Sequence, residues 1–217
     1  TDGLSTWFTY NKNHPIMVAD DQEWIYLNIF KPAIVDIIQM QLTGMPMNMT
    51  KVRALDVQLN GESSVLVQKM LGIPLVTYFV DYLGDEIIAK KNAKLKKKQI
   101  TRADLGKTKD TIVEFNPNSS DQLQKLLYSQ DFLGLPILDY TDSKQPATGG
   151  ETLEKLKNHT TDPDVQLFLD VLIEYKAIAI IVNTFLPAFL KAVQGNDGWH
   201  YLFGNFRLGG TASGRLS

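Results

Sequence analysis

Cysteine is absent from the 217 residues. That excludes a disulfide framework, a thiolate metal site and a cysteine nucleophile. Histidine is scarce, and His14, His159 and His200 have no metal-ligand spacing. Low-complexity bias is missing, and at 44% hydrophobic residues the chain is too apolar to stay disordered. There is no Walker loop and no nucleophile elbow. Gly209-Gly210-Thr211-Ala212-Ser213-Gly214 fails as a dinucleotide fingerprint, because no helix with a following acidic residue comes after it. No cationic and apolar leader opens the chain. The longest apolar stretch, over residues 177–190, is broken by Asn183, Thr184 and Pro187 and falls short of the ~20 residues a membrane span needs. It reads as a buried core helix, and the expected location is the cytoplasm, with no membrane partner.

Charge imbalance is also small in total, at a formal −2, which argues against a generic nucleic-acid binder. The distribution says otherwise. Residues 90–109 hold eight lysines and Arg102 against Asp104 alone, a net +8, whereas the remainder, 13 basic and 23 acidic residues, nets −10. An intensely basic tract sits on an acidic body.

The pattern is mostly helical. Apolar residues Ile25, Ile29, Ile34, Ile37 and Ile38 predict a helix over 22–41, with Pro32 as a kink and Gly44 and Pro46 as its stop. A second helix is expected from Asn48 or Thr50 to about Met70, and a third from Leu75 to about Lys98. Residues 100–110 read as loop. Ser119 or Ser120 caps a helix over 121–129; residues 138–150 form a connector; a short helix covers 152–158. Asp162-Pro163 opens a long helix to about Gln194. A turn at 195–198 leads into a strand within 199–208 and a glycine-containing end.

Two features suit a nucleic-acid backbone. In Asn116-Pro117-Asn118-Ser119-Ser120-Asp121-Gln122, side-chain amides and hydroxyls stand beside a helix N-terminus with free N–H groups, a set of donors that phosphate oxygens accept. The same residues also read as an ordinary N-cap. The second is the run Lys90, Lys91, Lys94, Lys96, Lys97 and Lys98. On a helix these lysines cannot point one way, so the segment would be cationic over most of its girth and would neutralise several phosphates. A solvated helix end is the alternative. Arg215, in a glycine-rich turn, has room to reach an anion or a base edge.

Thr211-Ala212-Ser213-Gly214-Arg215-Leu216-Ser217 resembles the T-x-[TS]-G-R-L-S-S motif that opens the palm of family A (polymerase I-like) DNA polymerases. Phe115-Asn116-Pro117-Asn118-Ser119-Ser120-Asp121-Gln122-Leu123 resembles the F-N-x-x-S-x-x-Q-L motif of their thumb. Ile173-Glu174-Tyr175-Lys176 is similar to the start of the helix descending from thumb to palm, and Thr43-Gly44-Met45-Pro46-Met47 to the turn where the thumb begins. Thr1-Asp2-Gly3-Leu4-Ser5-Thr6 resembles the end of the 3′–5′ exonuclease domain.

The resemblance implies a mainly α fold: a thumb of antiparallel helices, with a small β element at the C-terminal end where the palm starts. It places the end of the exonuclease domain at 1–30, the thumb at 31–195 with an extended basic tip at about 72–110, and the first part of the palm at 196–217. The implied role is the primer–template-holding portion of a phage-type DNA-directed DNA polymerase used in replication. Asn116, Ser119, Ser120 and Gln122 would contact backbone phosphates. Arg215, helped by Thr211 and Ser213, would reach the minor groove, and the lysines at 90–98 would track the duplex at a distance. Asp2 is the position carried over from a catalytic, metal-binding exonuclease aspartate, though hard-metal chemistry needs further carboxylates.

This sequence departs from the family in three ways. The stretch 48–115 is about twice the usual length, Val182 replaces a basic residue on the long helix, and the polymerase carboxylates do not occur. The chain alone is therefore expected to be inactive and to need no cofactor, with Mg2+ serving the complete nucleotidyltransferase. The implied partners are primer–template DNA, the remaining palm, fingers and exonuclease segments, and a processivity factor as a further candidate. Both ends fall inside motifs, which leaves an engineered fragment, an incomplete product and one piece of a split polymerase open. The competing class is a non-enzymatic interaction module whose lysine-rich tip binds a protein partner or an acidic surface.

Overall fold

The computed structural model describes residues 2–94, 99–208, 210–211 and 215–216. It divides into two units, one made of residues 50–188 and the other of residues 1–49 with 189–217.

The larger unit is helical. Helix α4 (Met49–Leu71) buries Val52, Leu59, Leu66 and Met70, spaced to fall on one face. Gly72 breaks the chain, Pro74 fits the first turn of α5 (Pro74–Asn92), and Val76 and Phe79 enter the core. Helix α6 (Ser120–Tyr128) begins at the cap Ser119 and buries Leu123, Leu126 and Leu127. A short α7 (Gly150–Leu156) buries Leu153 and Leu156. Helix α8 (Pro163–Ile180) starts on Asp162, whose carboxylate accepts from the N–H groups of Asp164 and Val165. Val165, Phe168, Leu169, Leu172, Tyr175 and Ala179 are buried at helical spacing, Val171 widens the buried face, and α5 and α7 pack on the helix. Aromatic rings join these helices at the centre: Phe79 meets Phe132 edge-on at 5.0 Å and Phe115 at 6.2 Å, and Phe115 leans on Phe168.

The smaller unit starts with α1 (Asp2–Ala19), which sequence periodicity did not announce and which buries no side chain. After α2 (Glu23–Ile25) come a π-turn over Tyr26–Phe30 and α3 (Lys31–Thr43). The kink expected at Pro32 takes this form: Lys31 N–H donates five residues back, to the Tyr26 carbonyl. Pro32 has no N–H to continue the ladder, and the wider turn absorbs that gap. The same device recurs in the other unit. A π-turn over Ile181–Phe185 follows α8, Leu186 N–H donates to the Ile181 carbonyl, and Pro187 comes next.

The chain beyond α8 differs from expectation. A helix to Gln194 was expected, but the last helical segment, α9 (Leu186–Phe189), stops at Phe189. Gln194 lies instead in a strand, β2 (Val193–Gln194). The strand expected within 199–208 is confined to β3 (His200–Leu202). Met45–Met47, read as part of a helix stop, forms β1, and the sheet order is β1–β3–β2, antiparallel throughout. The β element is therefore not purely C-terminal: Met45 pairs with Leu202 and Met47 with His200. Gly44 makes this possible. Its φ is +69°, and a Cβ there would lie 2.8 Å from the Phe203 ring. Asp197 ties the β2–β3 turn by accepting from Trp199 N–H at 3.1 Å and from the Tyr201 hydroxyl at 2.5 Å. The fold is mainly helical with a small antiparallel sheet, as the sequence implied. Among the described residues no single helix is long and apolar enough to cross a membrane.

Candidate nucleic-acid interface

The loop before α6 is built by its own polar side chains. Asn116 N–H donates to Gln122 Oε1 at 2.7 Å, and Gln122 Nε2 donates to the Glu114 carbonyl at 3.1 Å. Asn118 N–H donates to Asn116 Oδ1 at 2.9 Å, and Asn118 Nδ2 donates to the Tyr175 hydroxyl at 2.7 Å, which ties the loop to α8. Ser119 Oγ accepts from Gln122 N–H at 3.3 Å, the N-cap that its position predicts. The capping reading is thus correct for Ser119. It leaves the first-turn N–H groups of Ser120 and Asp121 without an intrahelical acceptor. Asn116 and Ser120 are exposed; Ser119 and Gln122 are half-buried. Much of the donor capacity of Gln122 is spent on holding the loop.

Beside this loop runs an open groove of about 560 Å³ lined by Asn118, Gly150, Lys176, Ile180, Asn183 and Thr184. Lys176 also borders a neighbouring hollow against the connector, with Thr152, Lys155 and the acids Asp139 and Glu151, both of which pair with Lys155. No carboxylate lines the first groove. Burial holds the Lys176 ammonium below the usual lysine range. Sequence reasoning quoted Lys176 inside a motif but did not single it out. The signal was there, since it is the lone basic residue between positions 163 and 190.

The connector that walls the hollow is fixed. The Tyr128 hydroxyl donates to the Ala147 carbonyl, Gln124 Nε2 to the Pro146 carbonyl at 2.8 Å, and Thr152 Oγ1 to Asp139 at 3.0 Å. Asp139 sits below the usual carboxylate range because Lys155 and Thr152 both donate to it.

The basic tract is not the uniformly cationic helix that was expected. Helix α5 ends at Asn92, so only Lys90 and Lys91 lie in its last turn, while Lys94 follows it and is exposed. Like charges four apart, as at Lys90 and Lys94, disfavour continuing a helix. Asn92 instead turns its side chain to Ile100, accepting from its N–H at 2.7 Å and donating to its carbonyl at 3.0 Å. Lys96, Lys97 and Lys98 lie outside the described residues. Acids from α5 also neutralise part of the tract. Arg102 makes two hydrogen bonds to Asp85, at 2.9 and 2.6 Å, and lies 3.7 Å from Asp81. Lys107 is 2.8 Å from Asp104, and Lys91 is 3.7 Å from Asp110.

In the smaller unit Arg215 is exposed, and its carbonyl accepts from Thr211 Oγ1 at 2.9 Å. Ser213 lies outside the described residues. Asp2 is exposed in the first turn of α1, where its carbonyl accepts from Ser5 and Thr6. Among the described residues no three of His, Asp and Glu gather to hold a metal ion. Asp2 alone does not fit a Mg2+ site, which needs further oxygen ligands.

No protein-family model matches the sequence, and no curated protein matches it. Among solved structures, the chain is similar to the POL domain of Pol1 from M. smegmatis in complex with DNA primer-template and dNTP. The TM-score is 0.57 at 17% identity, over 93% of this chain. At that identity the likeness is one of fold. The chain spans 27% of the length of the mycobacterial chain.

Proposed function

We propose that this chain is the duplex-holding portion of a family A, phage-type DNA-directed DNA polymerase. The observation that carries the reading is the carboxylate-free groove at the N-terminal end of α6, with the half-buried Lys176 in it. A partly desolvated cation at a groove with no carboxylate, the acids Asp139 and Glu151 of the adjoining hollow being paired with Lys155, suits an anion brought from outside, and amide and hydroxyl groups around it suit phosphate oxygens. The fold likeness to a polymerase domain supports the same reading.

In this account unit 50–188 is the body of the thumb, within family boundaries of 31–195. Residues 1–30 close an exonuclease domain and 196–217 open the palm. Asn116, Ser119, Ser120 and one remaining amide proton of Gln122 meet backbone phosphates together with Lys176. Lys90, Lys91, Lys94 and the lysines at 96–98 add attraction over a longer range, weakened by Asp81, Asp85 and Asp110. Arg215, with Thr211 and Ser213, reaches the minor groove near the primer end. Mg2+ and nucleotidyl transfer belong to the complete polymerase, as does the exonuclease role inherited by Asp2.

The test is primer–template binding as a function of salt. A slope of log affinity against log salt equivalent to several phosphates is expected, each contributing about 0.9. No binding at low salt sinks the reading. In the complete enzyme, Arg215→Ala is expected to abolish extension while leaving the melting temperature unchanged; undiminished extension removes Arg215 from the interface.

A further inference from the structure

We propose that Tyr175 is a positioning residue for duplex binding: through Asn118 it holds the polar loop before α6 beside the groove that Lys176 lines. The inference rests on the duplex-holding reading of that groove. Tyr175 and Lys176 are neighbours on α8 with different surroundings. Tyr175 is 5% exposed and belongs to the core, whereas Lys176 borders the open groove. A buried tyrosine hydroxyl needs a polar partner. Here the partner is Asn118, 57 positions away in sequence, whose Nδ2 donates to the Tyr175 oxygen at 2.7 Å. Asn118 lines the same groove as Lys176. One turn of α8 therefore both supplies the cation and fixes the loop beside it.

The remaining bonds of the loop set its internal shape. Asn116 N–H donates to Gln122, Gln122 to the Glu114 carbonyl, and Ser119 N–H to the Asn116 carbonyl at 2.9 Å, all within residues 114–122. The buried Phe115 and Leu123 anchor the two ends of the stretch that carries the exposed donors. Phe115 meets α8 at Phe168, about 10 Å along the helix from Tyr175. Among the described residues, no other hydrogen bond crosses from residues 116–122 to α8. Asn118 and Tyr175 thus join the middle of the loop to the helix that bears Lys176.

A loop held in its bound position loses less entropy when phosphates arrive, so releasing this tie costs affinity even though Tyr175 touches no DNA. The donors that it positions are neutral amides, hydroxyls and N–H groups. Misplacing them forfeits hydrogen bonds to phosphate oxygens but removes no charge. Loss of Lys176 does remove one. Counterion release follows the number of phosphates neutralised by cations. Two residues adjacent in sequence should therefore differ in their effect on the salt dependence of binding.

The experiment titrates the 217-residue chain with a fluorescein-labelled primer–template duplex at several salt concentrations, read by anisotropy. Tyr175→Phe keeps the ring and removes the oxygen that Asn118 reaches. It is expected to weaken binding by about fivefold at every salt concentration and to leave the salt slope unchanged. Lys176→Met is expected to make the slope shallower by about 0.9. Asn118→Ala should match Tyr175→Phe, and the double variant should lose no more than either one, because both remove the same bond. Hydrogen exchange in Tyr175→Phe should quicken at the Asn118 and Ser119 N–H groups and stay unchanged along α8. Parent-like affinity in Tyr175→Phe overturns the proposal, and so do a shallower slope in that variant or additive losses in the double variant. A lower melting temperature with unchanged affinity also overturns it, and marks the hydroxyl as purely structural. A parent chain that binds no duplex at low salt sinks the duplex reading and this inference with it. A parent that binds, with Tyr175→Phe silent, sinks this inference alone.

Discussion

Replacing Lys176 with methionine is expected to weaken DNA binding without weakening the fold. The ammonium is half-buried, its groove contains no carboxylate, and burial lowers its pKa. Its protonated form therefore carries a desolvation cost that no carboxylate of that groove offsets, and Asp139 and Glu151 of the adjoining hollow are paired with Lys155. Because the folded pKa lies below the unfolded one, the unfolded chain binds more protons between the two values. Stability contributed at this site then rises with pH across that window, and below the folded pKa the full cost is present. Methionine keeps the stem and removes the charge. At neutral pH the variant is expected to melt no lower than the parent, and the alkaline gain in stability should disappear. Binding should move the other way. One lost phosphate contact makes the slope of log affinity against log salt shallower by about 0.9. A hydrogen bond to a charged group is worth about 1.5–3 kcal/mol, roughly 10–150-fold in affinity. The measurements are thermal melts from neutral to alkaline pH and duplex titrations at several salt concentrations. A lower melting temperature with an unchanged salt slope would refute the reasoning, since Lys176 would then be a structural residue.

Other consequences of the geometry are open to similar tests. Phe168 is fully buried between Phe115 and the helices around it, so Phe168→Ala should cost about 3–5 kcal/mol in denaturant unfolding. Gly44→Ala forces a side chain onto a backbone at φ +69° and against the Phe203 ring, and should destabilise the smaller unit by more than about 1 kcal/mol, read as faster hydrogen exchange at β1 and β3. Lys125 bonds Glu86 at 2.6 Å and lies over the Tyr82 ring. The Glu86 carboxyl is held below its usual range, chiefly by Lys125, so the pair stabilises the fold above that range and the contribution fades as pH falls through the lowered value. Lys125→Met should flatten that acid-side loss; an unchanged acid profile would count against the pair.

Periodicity read the helices of the larger unit well, because each buries a strict face. Leu123, Leu126 and Leu127 on α6, and Val165, Phe168, Leu169 and Leu172 on α8, carry the 3.6-residue repeat without interruption. The caps Ser119 and Asp162 were legible for the same reason, since their hydrogen bonds go to N–H groups two or three residues away. Elements with distant partners were not legible. Met45–Met47 looks like a turn until His200–Leu202 arrives beside it. Helix α1 buries no side chain, and its apolar residues Leu4, Trp7 and Phe8 are all exposed, so no packed face marks it out.

The sequence by itself determined the helical class, the capping of α6 and α8, and the presence of both a polar loop before α6 and a lysine tract, all of which depend on neighbours a few residues apart. Tertiary structure decided which of those charges remain available. Asp85 on α5 pairs with Arg102 and neutralises it, while packing of α8 partly desolvates Lys176 beside a groove with no carboxylate, the acids of the adjoining hollow being paired with Lys155. Electrostatic compensation depends on distance through space, and residues 17 positions apart at Asp85 and Arg102 show no sequence signal of being 2.6 Å apart.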